Sequence, residues 1–294
     1  METKYKPNNI YNVDSYKAIK EIPDKSIDCV YTDVPYLFDS GGGGSSELAQ
    51  RIIKINEQLS GYRKKQEEAT TDEEREKNRI SGNVLASQKQ FIDLTVGFDY
   101  SILDEFVRVM KKVNIIIWFS KLQMQDILNY FMNLKDKEIY FEPLVWKKTN
   151  PPPKTNNMWL PDLEYAFHFR EKGVVLNDGY EIKNKGYVSP INKKDKDLYD
   201  HPTIKPLEFV KNHILHITQE NDIVLDPFLG SGTTAVACQE TKRQFIGFEI
   251  DKSYYDIAQD RINGITQVER REKEAGIMNI FDFMEEEKWF IQKV

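Results

Sequence analysis

A carboxylate, a proline and an aromatic ring stand together in the segment 32–36, which reads TDVPY and closes an apolar run. Val34 precedes a proline, so its backbone is biased toward extended geometry and its carbonyl can point outward beside the Asp33 carboxylate. Two acceptors side by side suit an amino group that carries two hydrogens, and the Tyr36 ring offers a stacking face for a planar base. The alternative for this short string is an ordinary strand end followed by a turn at Pro35.

The segment 224–238, VLDPFLGSGTTAVAC, is the strongest signal in the chain. It predicts a buried strand that ends at Asp226, then a glycine-rich turn, then a helix whose free N–H groups and dipole face the turn. Gly230 and Gly232 allow backbone to approach a ligand that side chains would block. Glu249 ends the next predicted strand, where an acidic residue suits a ribose diol. These features indicate a pocket for a nucleoside cofactor, with a tight turn that binds nothing as the alternative.

Two further segments carry polar residues in stiff or terminal positions. The segment 201–209, HPTIKPLEF, holds Thr203 and Lys205 between prolines. Its alternative interpretation is a helix start with Pro206 at the first helical position. Near the N-terminus, Asp14 is expected to end a short strand ahead of the first helix, and an N-cap is the simpler interpretation for it.

Short apolar runs rich in β-branched and aromatic residues alternate with helical patterns along the chain. The runs predict strands within 30–31, 113–120, 141–148, 164–171, 222–228 and 243–251. The candidate helices are Ser15–Ile22, Tyr100–Lys111, Lys121–Asn133, Pro206–Ile217, Thr233–Glu240 and Ser253–Asn263. This alternation predicts an α/β fold with a largely parallel sheet and right-handed crossovers. The strands that end at Asp33 and Asp226 are expected to be neighbours at the topological switch point, where open α/β sheets bind ligands.

The composition is that of a globular protein: 294 residues, 40% hydrophobic, with a net charge of −6 from 41 basic and 47 acidic side chains. Mild acidity argues against a basic coat for nucleic acid over the whole surface, but not against a local basic cleft. Two cysteines and four histidines exclude a disulfide framework and argue against a metal site. The apolar runs are too short to cross a bilayer and the N-terminus carries no apolar signal region, so we expect a cytoplasmic protein.

Taken together and in order, the Asp14 region, TDVPY, HPTIKP, DPFLGSGTT and GFEID resemble the β-class of S-adenosylmethionine-dependent amino DNA methyltransferases. The likeness spans most of the chain and is closest to the phage and bacterial adenine-N6 type. It implies a Rossmann-like methyltransferase fold, a mostly parallel twisted sheet with helices on both faces. It also implies a circularly permuted motif order, in which the catalytic half precedes the cofactor half. The usual motif is DPPY, and Val34 departs from it, because valine keeps the carbonyl but lacks the ring that fixes φ.

The resemblance implies a role for each matching residue. The catalytic residues around the target base would be Asp33, Val34, Pro35 and Tyr36. The residues that would bind S-adenosylmethionine are Asp14 near its adenine, Thr203 and Lys205 at its methionine end, Glu249 at its ribose, and Asp226, Phe228, Gly230, Ser231, Gly232 and Thr233 along the turn. The implied reaction flips an adenine out of double-stranded DNA and methylates N6 directly, without a metal. The alternatives are an N4-cytosine methyltransferase and, because of Val34, a DNA-binding member with little or no activity.

Lysines beside prolines, amides and aromatic residues are the candidates for contacts with DNA phosphates: Lys147, Lys148, Lys154, Lys183 and Lys185. A surface loop that merely bears lysines is the alternative. The predicted organisation is a catalytic core of 1–40, 98–170 and 201–264, a charged helical insertion at 41–97, a target-recognition segment at 171–200 and a C-terminal tail at 265–294. We expect the insertion to fold over DNA or to form a homodimer contact, and a cognate restriction endonuclease is a further candidate partner.

Overall fold

A computed structural model describes residues 3–37, 64–65, 71, 74, 97–151, 153, 159–191, 204–266 and 269. The chain divides into two compact units. The first comprises Met1–Asp33, Ser101–Trp118 and Leu134–Val294, and the second comprises Val34–Tyr100 and Phe119–Asn133. Nearly all of the predicted insertion 41–97, the end of the segment 171–200 and most of the tail 265–294 lie outside the described residues, so the predicted organisation stays a prediction.

The strands form an eight-stranded sheet in the order β1-β8-β7-β2-β3-β5-β4-β6. Their bounds are β1 Asn9–Asn12, β2 Cys29–Asp33, β3 Asn114–Phe119, β4 Ile139–Lys148, β5 Leu163–Glu171, β6 Gly186–Ser189, β7 Ile223–Asp226 and β8 Gln244–Glu249. Parallel pairing joins β1 to β8, β8 to β7, β7 to β2, and β2 to β3. The strand β4 pairs antiparallel with β5 and parallel with β6. The prediction of a mostly parallel sheet is therefore confirmed.

The predicted switch point is present in this sheet. The strand β2 has β7 on one side, with Val30 opposite Leu225, and β3 on the other, with Val30 opposite Ile115. Since all three strands are parallel, the carboxyl ends of β2 and β7 lie at the same edge. Asp33 and Asp226, the last residues of these strands, are thereby brought to one edge of the sheet, as the sequence predicted.

The helices follow the sequence pattern closely. They are α1 Ser15–Ala18 with a 3-10 turn at Ile19–Glu21, α2 Ile102–Val109, α3 Met124–Met132, α4 Leu207–Ile217, α5 Thr233–Glu240 and α6 Lys252–Ile262. Each lies inside or within one residue of its predicted range. The strand β6 was not predicted, because its sequence GYVS is short and has alternating exposure rather than an apolar run. No helix among the described residues is long and apolar enough to cross a membrane.

The core of the first unit packs helices against one face of the sheet. Side chains of α4 and α5, among them Phe209, Ile214 and Ala235, join the strand residues Tyr31 and Trp118 in one buried cluster. Every residue of β3 is buried, which explains why its sequence is a continuous apolar run rather than an alternating one. Burial on this scale holds the carboxyl ends of β2 and β7 in a fixed relation, because close-packed interiors deform little.

Candidate active site

The glycine turn, residues 227–232, connects β7 to α5. Gly232 has φ of +80°, and a Cβ there would lie 2.9 Å from the Cβ and 3.1 Å from the Cα of Ala258 in α6. Gly230 also has a positive φ, of 54°. Only glycine fits a left-handed backbone packed this closely on a helix, so the turn brings bare backbone to the N-terminus of α5.

Asp226 fixes the start of this turn from inside the protein. One of its carboxylate oxygens accepts from the backbone N–H of Phe228 at 3.1 Å, and the other accepts from the Thr234 hydroxyl at 2.6 Å. The side chain is buried, and this burial raises its pKa to about 7, although the two hydrogen bonds oppose the shift. Asp226 therefore ties the strand end to the first turn of α5, and near neutral pH it is a partly protonated, internal group.

Glu249 closes the other side of the turn. Its carboxylate accepts from the backbone N–H of Gly230 at 2.8 Å and from the backbone N–H of Asp251, also at 2.8 Å. Burial raises its pKa, and those N–H groups oppose the rise. A carboxylate has about four acceptor positions, so these two hydrogen bonds leave it able to accept from a diol while they hold it in place.

Arg261 is a turn residue that the sequence did not reveal. It lies in α6 with only 6% of its surface exposed, and its guanidinium donates to the carbonyl of Ser231 at 2.7 Å, to the Ser231 hydroxyl at 2.9 Å and to the Thr233 hydroxyl at 2.9 Å. A planar, permanently charged donor suits this role, since one group serves three acceptors. Arg261 thus anchors Ser231 and Thr233, which are predicted to line the cofactor, to α6.

The N-terminal segment reaches the same turn through α1. Asp14 is the N-cap of α1 and accepts from the backbone N–H of Tyr16 at 3.0 Å, which confirms the simpler interpretation of this residue. The next residue, Ser15, donates its hydroxyl proton to the carbonyl of Pro227. The Tyr16 and Phe228 rings meet edge to face, with centroids 6.1 Å apart. The role of Asp14 toward a cofactor adenine stays a prediction.

Around Asp33 the structure assembles ion pairs that we call the Asp33 cluster, formed by Asp33, Trp118, Lys148, Glu164 and Lys205. The Lys205 ammonium lies 2.8 Å from an Asp33 carboxylate oxygen, 2.8 Å from a Glu164 oxygen and 4.5 Å from the centre of the Trp118 ring. Burial alone would lower the pKa of Lys205, but the two carboxylates raise it above its usual range. Lys205 is therefore a cation, and it contacts the predicted catalytic carboxylate directly.

Glu164 joins this cluster to a second lysine. Its other carboxylate oxygen is 2.6 Å from the Lys148 ammonium. Burial alone would raise the pKa of Glu164, but Lys205 and Lys148 lower it to about 2. The result is an alternation of charges from Asp33 through Lys205 and Glu164 to Lys148. Lys205 and Glu164 each have an opposite charge on both sides.

The residues after Asp33 belong to the second unit, where a buried glutamine supports them. Gln123 donates its side-chain amide to the Pro35 carbonyl at 2.9 Å and accepts from the backbone N–H of Ser120 at 2.9 Å. The carbonyl of Tyr36 accepts from the backbone N–H of Gly97 at 3.2 Å. Val34 is buried. Gln123 was missed by sequence reasoning, since a lone glutamine at a helix start carries no distinctive signal.

Four of the predicted DNA-contacting lysines form ion pairs with carboxylates. Lys147 lies 3.2 Å from Asp162, Lys183 contacts Asp178, Lys185 contacts Glu142, and Lys148 belongs to the Asp33 cluster. Except for Lys148, these pairs are exposed and worth little to stability, so they can exchange a carboxylate for a phosphate. Lys154 and Thr203 lie outside the described residues. The contacts of all these residues with DNA or cofactor stay predictions.

Comparison with known proteins shows which family and which relatives the chain resembles. A family model for N6/N4 methyltransferases, described as DNA methylase, matches residues 27–260. The type II methyltransferase M2.LlaDCHI of Lactococcus lactis subsp. cremoris is 26% identical over 272 residues, which cover 86% of this chain and 88% of that protein. M2.DpnII of Streptococcus pneumoniae is also 26% identical, over 85% of this chain and 87% of its own.

Two solved structures share the fold. The complex of M1.HpyAVI with SAM gives a TM-score of 0.54 at 23% identity, covering 86% of this chain and 98% of that one. The cytosine-N4-specific PvuII DNA methyltransferase gives 0.56 at 15% identity, covering 90% and 97%. The fold is therefore the Rossmann-like methyltransferase fold expected from the sequence. Since the family match extends over most of the chain, this protein belongs to the N6/N4 DNA methylase family.

Proposed function

We propose that this protein transfers a methyl group from S-adenosylmethionine to the N6 amino group of an adenine in double-stranded DNA. The observation that carries the proposal is the shared edge of β2 and β7, which brings the Asp33 carboxylate to the same end of the sheet as the glycine turn. A carboxylate for the amino group and a cradle for the methyl donor thus end neighbouring strands, as direct transfer requires.

The turn fits the donor in its chemistry. Gly230 and Gly232 have left-handed backbones, and Gly232 packs against Ala258 so closely that a Cβ would not fit. The N-terminus of α5 supplies N–H groups, and Glu249 supplies acceptors for ribose hydroxyls. When bound, S-adenosylmethionine supplies a methyl group already activated by its sulfonium. We assign Asp226, Phe228, Ser231 and Thr233 to shaping this cradle from the protein side.

Asp33 acts on the amino nitrogen. This nitrogen is a poor nucleophile because its lone pair is delocalised into the ring of the base. A hydrogen bond to Asp33 favours tetrahedral geometry at the nitrogen and stabilises the positive charge that develops there as the methyl group arrives. The Val34 carbonyl would accept the second amino hydrogen, and the Tyr36 ring would stack on the flipped base, whose extrusion costs a few kcal/mol.

The choice of adenine rests on Asp33, the residue that corresponds to the first position of the usual DPPY motif. The adenine-N6 type that the sequence resembles has an aspartate there, as Asp33 is here, whereas N4-cytosine members more often have a serine. N4-cytosine methylation is the second candidate, because the PvuII enzyme with the same fold is cytosine-N4-specific. We further propose a type II restriction-modification context in a bacterial or phage-infected cytoplasm, with a cognate endonuclease and a homodimer as candidate partners.

Nucleoside analysis tests the proposal. The purified full-length protein, duplex DNA of mixed sequence and labelled S-adenosylmethionine are incubated, and the DNA is digested and analysed by mass spectrometry. We expect N6-methyladenine, and sequencing with modified-base detection gives the target site. N4-methylcytosine would establish the second candidate, and DNA binding without any methylated base would identify an inactive member.

The variant Asp33→Ala tests the role of the carboxylate. We expect methyl transfer to fall by about a thousandfold or more, with S-adenosylmethionine affinity within about threefold of wild type, because Asp33 acts on the transition state. Asp24→Ala is the matched control, since Asp24 is an exposed carboxylate in the same unit that pairs with Arg108. Methylation that survives Asp33→Ala at the control's rate would refute the mechanism.

A further inference from the structure

We propose that Lys205, held by Glu164, is a positioning residue that fixes the Asp33 carboxylate for methyl transfer. This inference rests on the proposed function and assigns Lys205 a different role from the cofactor contact that the sequence resemblance implies. It also gives a role to Glu164, which no motif marks. The geometry that carries it is the 2.8 Å contact of the Lys205 ammonium with both Asp33 and Glu164.

The members of the cluster differ in their exposure to solvent. The side chains of Lys205, Glu164 and Lys148 are 12%, 18% and 15% exposed, whereas the Asp33 side chain is 42% exposed. Only the last member of the chain of charges is therefore substantially accessible to a substrate. A buried lysine between two carboxylates has few positions in which both are satisfied, so it restricts the orientation of Asp33.

Glu164 has a specific electrostatic effect in this arrangement. An ammonium that faced Asp33 alone would neutralise the carboxylate and make it a weaker acceptor for an amino group. Glu164 shares the positive charge of Lys205, and Lys148 in turn balances Glu164, so Asp33 is oriented without losing its charge. The four formal charges sum to zero, which makes burial of the three inner members tolerable.

The cluster is assembled from distant parts of the chain, four strands and the loop before α4. Asp33 ends β2, Trp118 lies in β3, Lys148 ends β4 and Glu164 lies in β5, while Lys205 precedes α4. The face of the Trp118 ring, 4.5 Å from the ammonium, adds a cation–π contact that restricts the lysine further. The four members that lie in strands hold their geometry more closely than residues on loops would.

The test compares single-turnover methylation rates, S-adenosylmethionine affinity and pH profiles for Lys205→Met, Lys205→Arg and Glu164→Gln in the full-length protein. We expect single-turnover rates to fall by about 30-fold or more for Lys205→Met and about tenfold for Glu164→Gln, with cofactor affinity within about threefold in both. Lys205→Arg restores part of the rate, since it keeps the charge. The acid side of the rate profile of Lys205→Met moves to higher pH, because the ammonium no longer favours the charged carboxylate.

Lys211 offers a matched control. It too contacts two carboxylates, Glu208 at 2.9 Å and Glu240 at 3.0 Å, but it lies on α4 and touches no predicted site residue among those contacts. Lys211→Met and Glu240→Gln should therefore leave the single-turnover rate and its pH profile at wild-type values. A positioning role is supported only if the Lys205 and Glu164 variants lose rate while these controls do not.

Several outcomes would overturn the inference. If Lys205→Met weakens S-adenosylmethionine binding more than tenfold and saturating cofactor restores the rate, Lys205 belongs to the cofactor site instead. Wild-type rates and pH profiles in both Lys205→Met and Glu164→Gln would exclude any positioning role. Thermal unfolding identifies a variant that fails to fold, and Lys205→Arg and Glu164→Gln then carry the test. A wild-type protein that methylates no DNA refutes the proposed function, whereas failure in the variants alone refutes only this inference.

Discussion

The glycine turn and the Asp33 cluster lie at the ends of neighbouring strands, but they are built in different ways. The turn is held mainly by hydrogen bonds to backbone groups, with Asp226 and Glu249 accepting from N–H groups and Arg261 donating to a carbonyl. The Asp33 cluster is held by ion pairs between side chains. A backbone cradle presents a fixed shape to a cofactor, whereas a chain of alternating charges fixes a reactive group and its charge together.

This difference predicts how each region fails. A change in the turn alters shape, so it should act first on cofactor affinity. A change in the cluster alters orientation and charge at one carboxylate, so it should act first on the rate of transfer. Measuring affinity and single-turnover rate separately for each variant therefore tests whether the two regions have distinct functions.

Among changes to the glycine turn, the largest effect on cofactor affinity is expected for Gly232→Val. A side chain at φ of +80° is strained by about 1–2 kcal/mol, and its Cβ would lie 2.9 Å from that of Ala258, which adds about 1–3 kcal/mol of overpacking. We expect S-adenosylmethionine affinity to fall by about 100-fold, the equivalent of roughly 2.7 kcal/mol. Calorimetric titration measures it.

Gly264→Val is the control that separates the effect of backbone strain from an effect on the cofactor site. Gly264 also has a positive φ, of +70°, but a Cβ there would meet nothing within 4 Å. This control should lower stability by roughly 1 kcal/mol and leave cofactor affinity unchanged. Equal loss of affinity in the two variants would show that Gly232 matters only for folding.

Arg261→Met should have the next largest effect. It removes three hydrogen bonds to Ser231 and Thr233 and leaves their buried oxygens unsatisfied, so we expect a stability loss of roughly 2–4 kcal/mol. Below the unfolding transition, cofactor affinity should still fall about tenfold, because the turn loses its support from α6. Urea denaturation and calorimetric titration measure the two quantities.

Arg243→Met is the matched control for Arg261→Met. Arg243 is equally buried and donates to the carbonyls of Thr218 and Thr241 and to the Thr218 hydroxyl. It should lose comparable stability with no change in affinity at a temperature where both variants are folded. A similar drop in affinity for both would mean that Arg261 acts only through global stability.

Asp226→Asn should change the pH dependence of stability. In the folded protein Asp226 keeps its proton up to about pH 7, whereas in the unfolded chain it loses this proton at about pH 4. The folded state therefore binds more protons in this window, and wild-type stability falls as pH rises through it, by up to about 1.4 kcal/mol per pH unit. Asparagine does not titrate, so the free energy of unfolding of the variant should rise relative to that of wild type between about pH 4 and about pH 7.

Urea denaturation at several pH values measures this gain. Asp24→Asn removes an exposed carboxylate and is the control. Its free energy of unfolding, relative to wild type, should change by less than about 0.5 kcal/mol over the same pH range. A constant difference between wild type and Asp226→Asn would show that the Asp226 carboxylate is ionised in the folded protein throughout the window.

The same contrast explains what the sequence could and could not reveal. The turn was predictable because Asp226, Gly230, Gly232 and Glu249 lie within 24 consecutive residues whose types each have a local meaning. The Asp33 cluster joins residues of four strands and a loop, so no local pattern marks Glu164 or the contact of Lys205 with Asp33. Likewise Arg261 and Gln123 act through tertiary contacts, and the strand β6 exists because β4 offers it a partner. Within the described residues, strand and helix positions, which depend on local periodicity, were predicted except for β6.

The smallest effect is expected for Val34→Pro, which restores the usual second residue of the motif. Val34 precedes Pro35 and is already biased to extended backbone, and Asp33 lies in a strand that a following proline permits. Both residues carry a carbonyl, so the acceptor for the target amino group is kept. If orientation of the carboxylate comes from Lys205 and Glu164, a stiffer loop adds little, and the single-turnover rate should change by no more than about threefold. An increase of about 30-fold or more would instead show that Val34 limits this enzyme and that the loop, rather than the Asp33 cluster, controls the geometry of transfer.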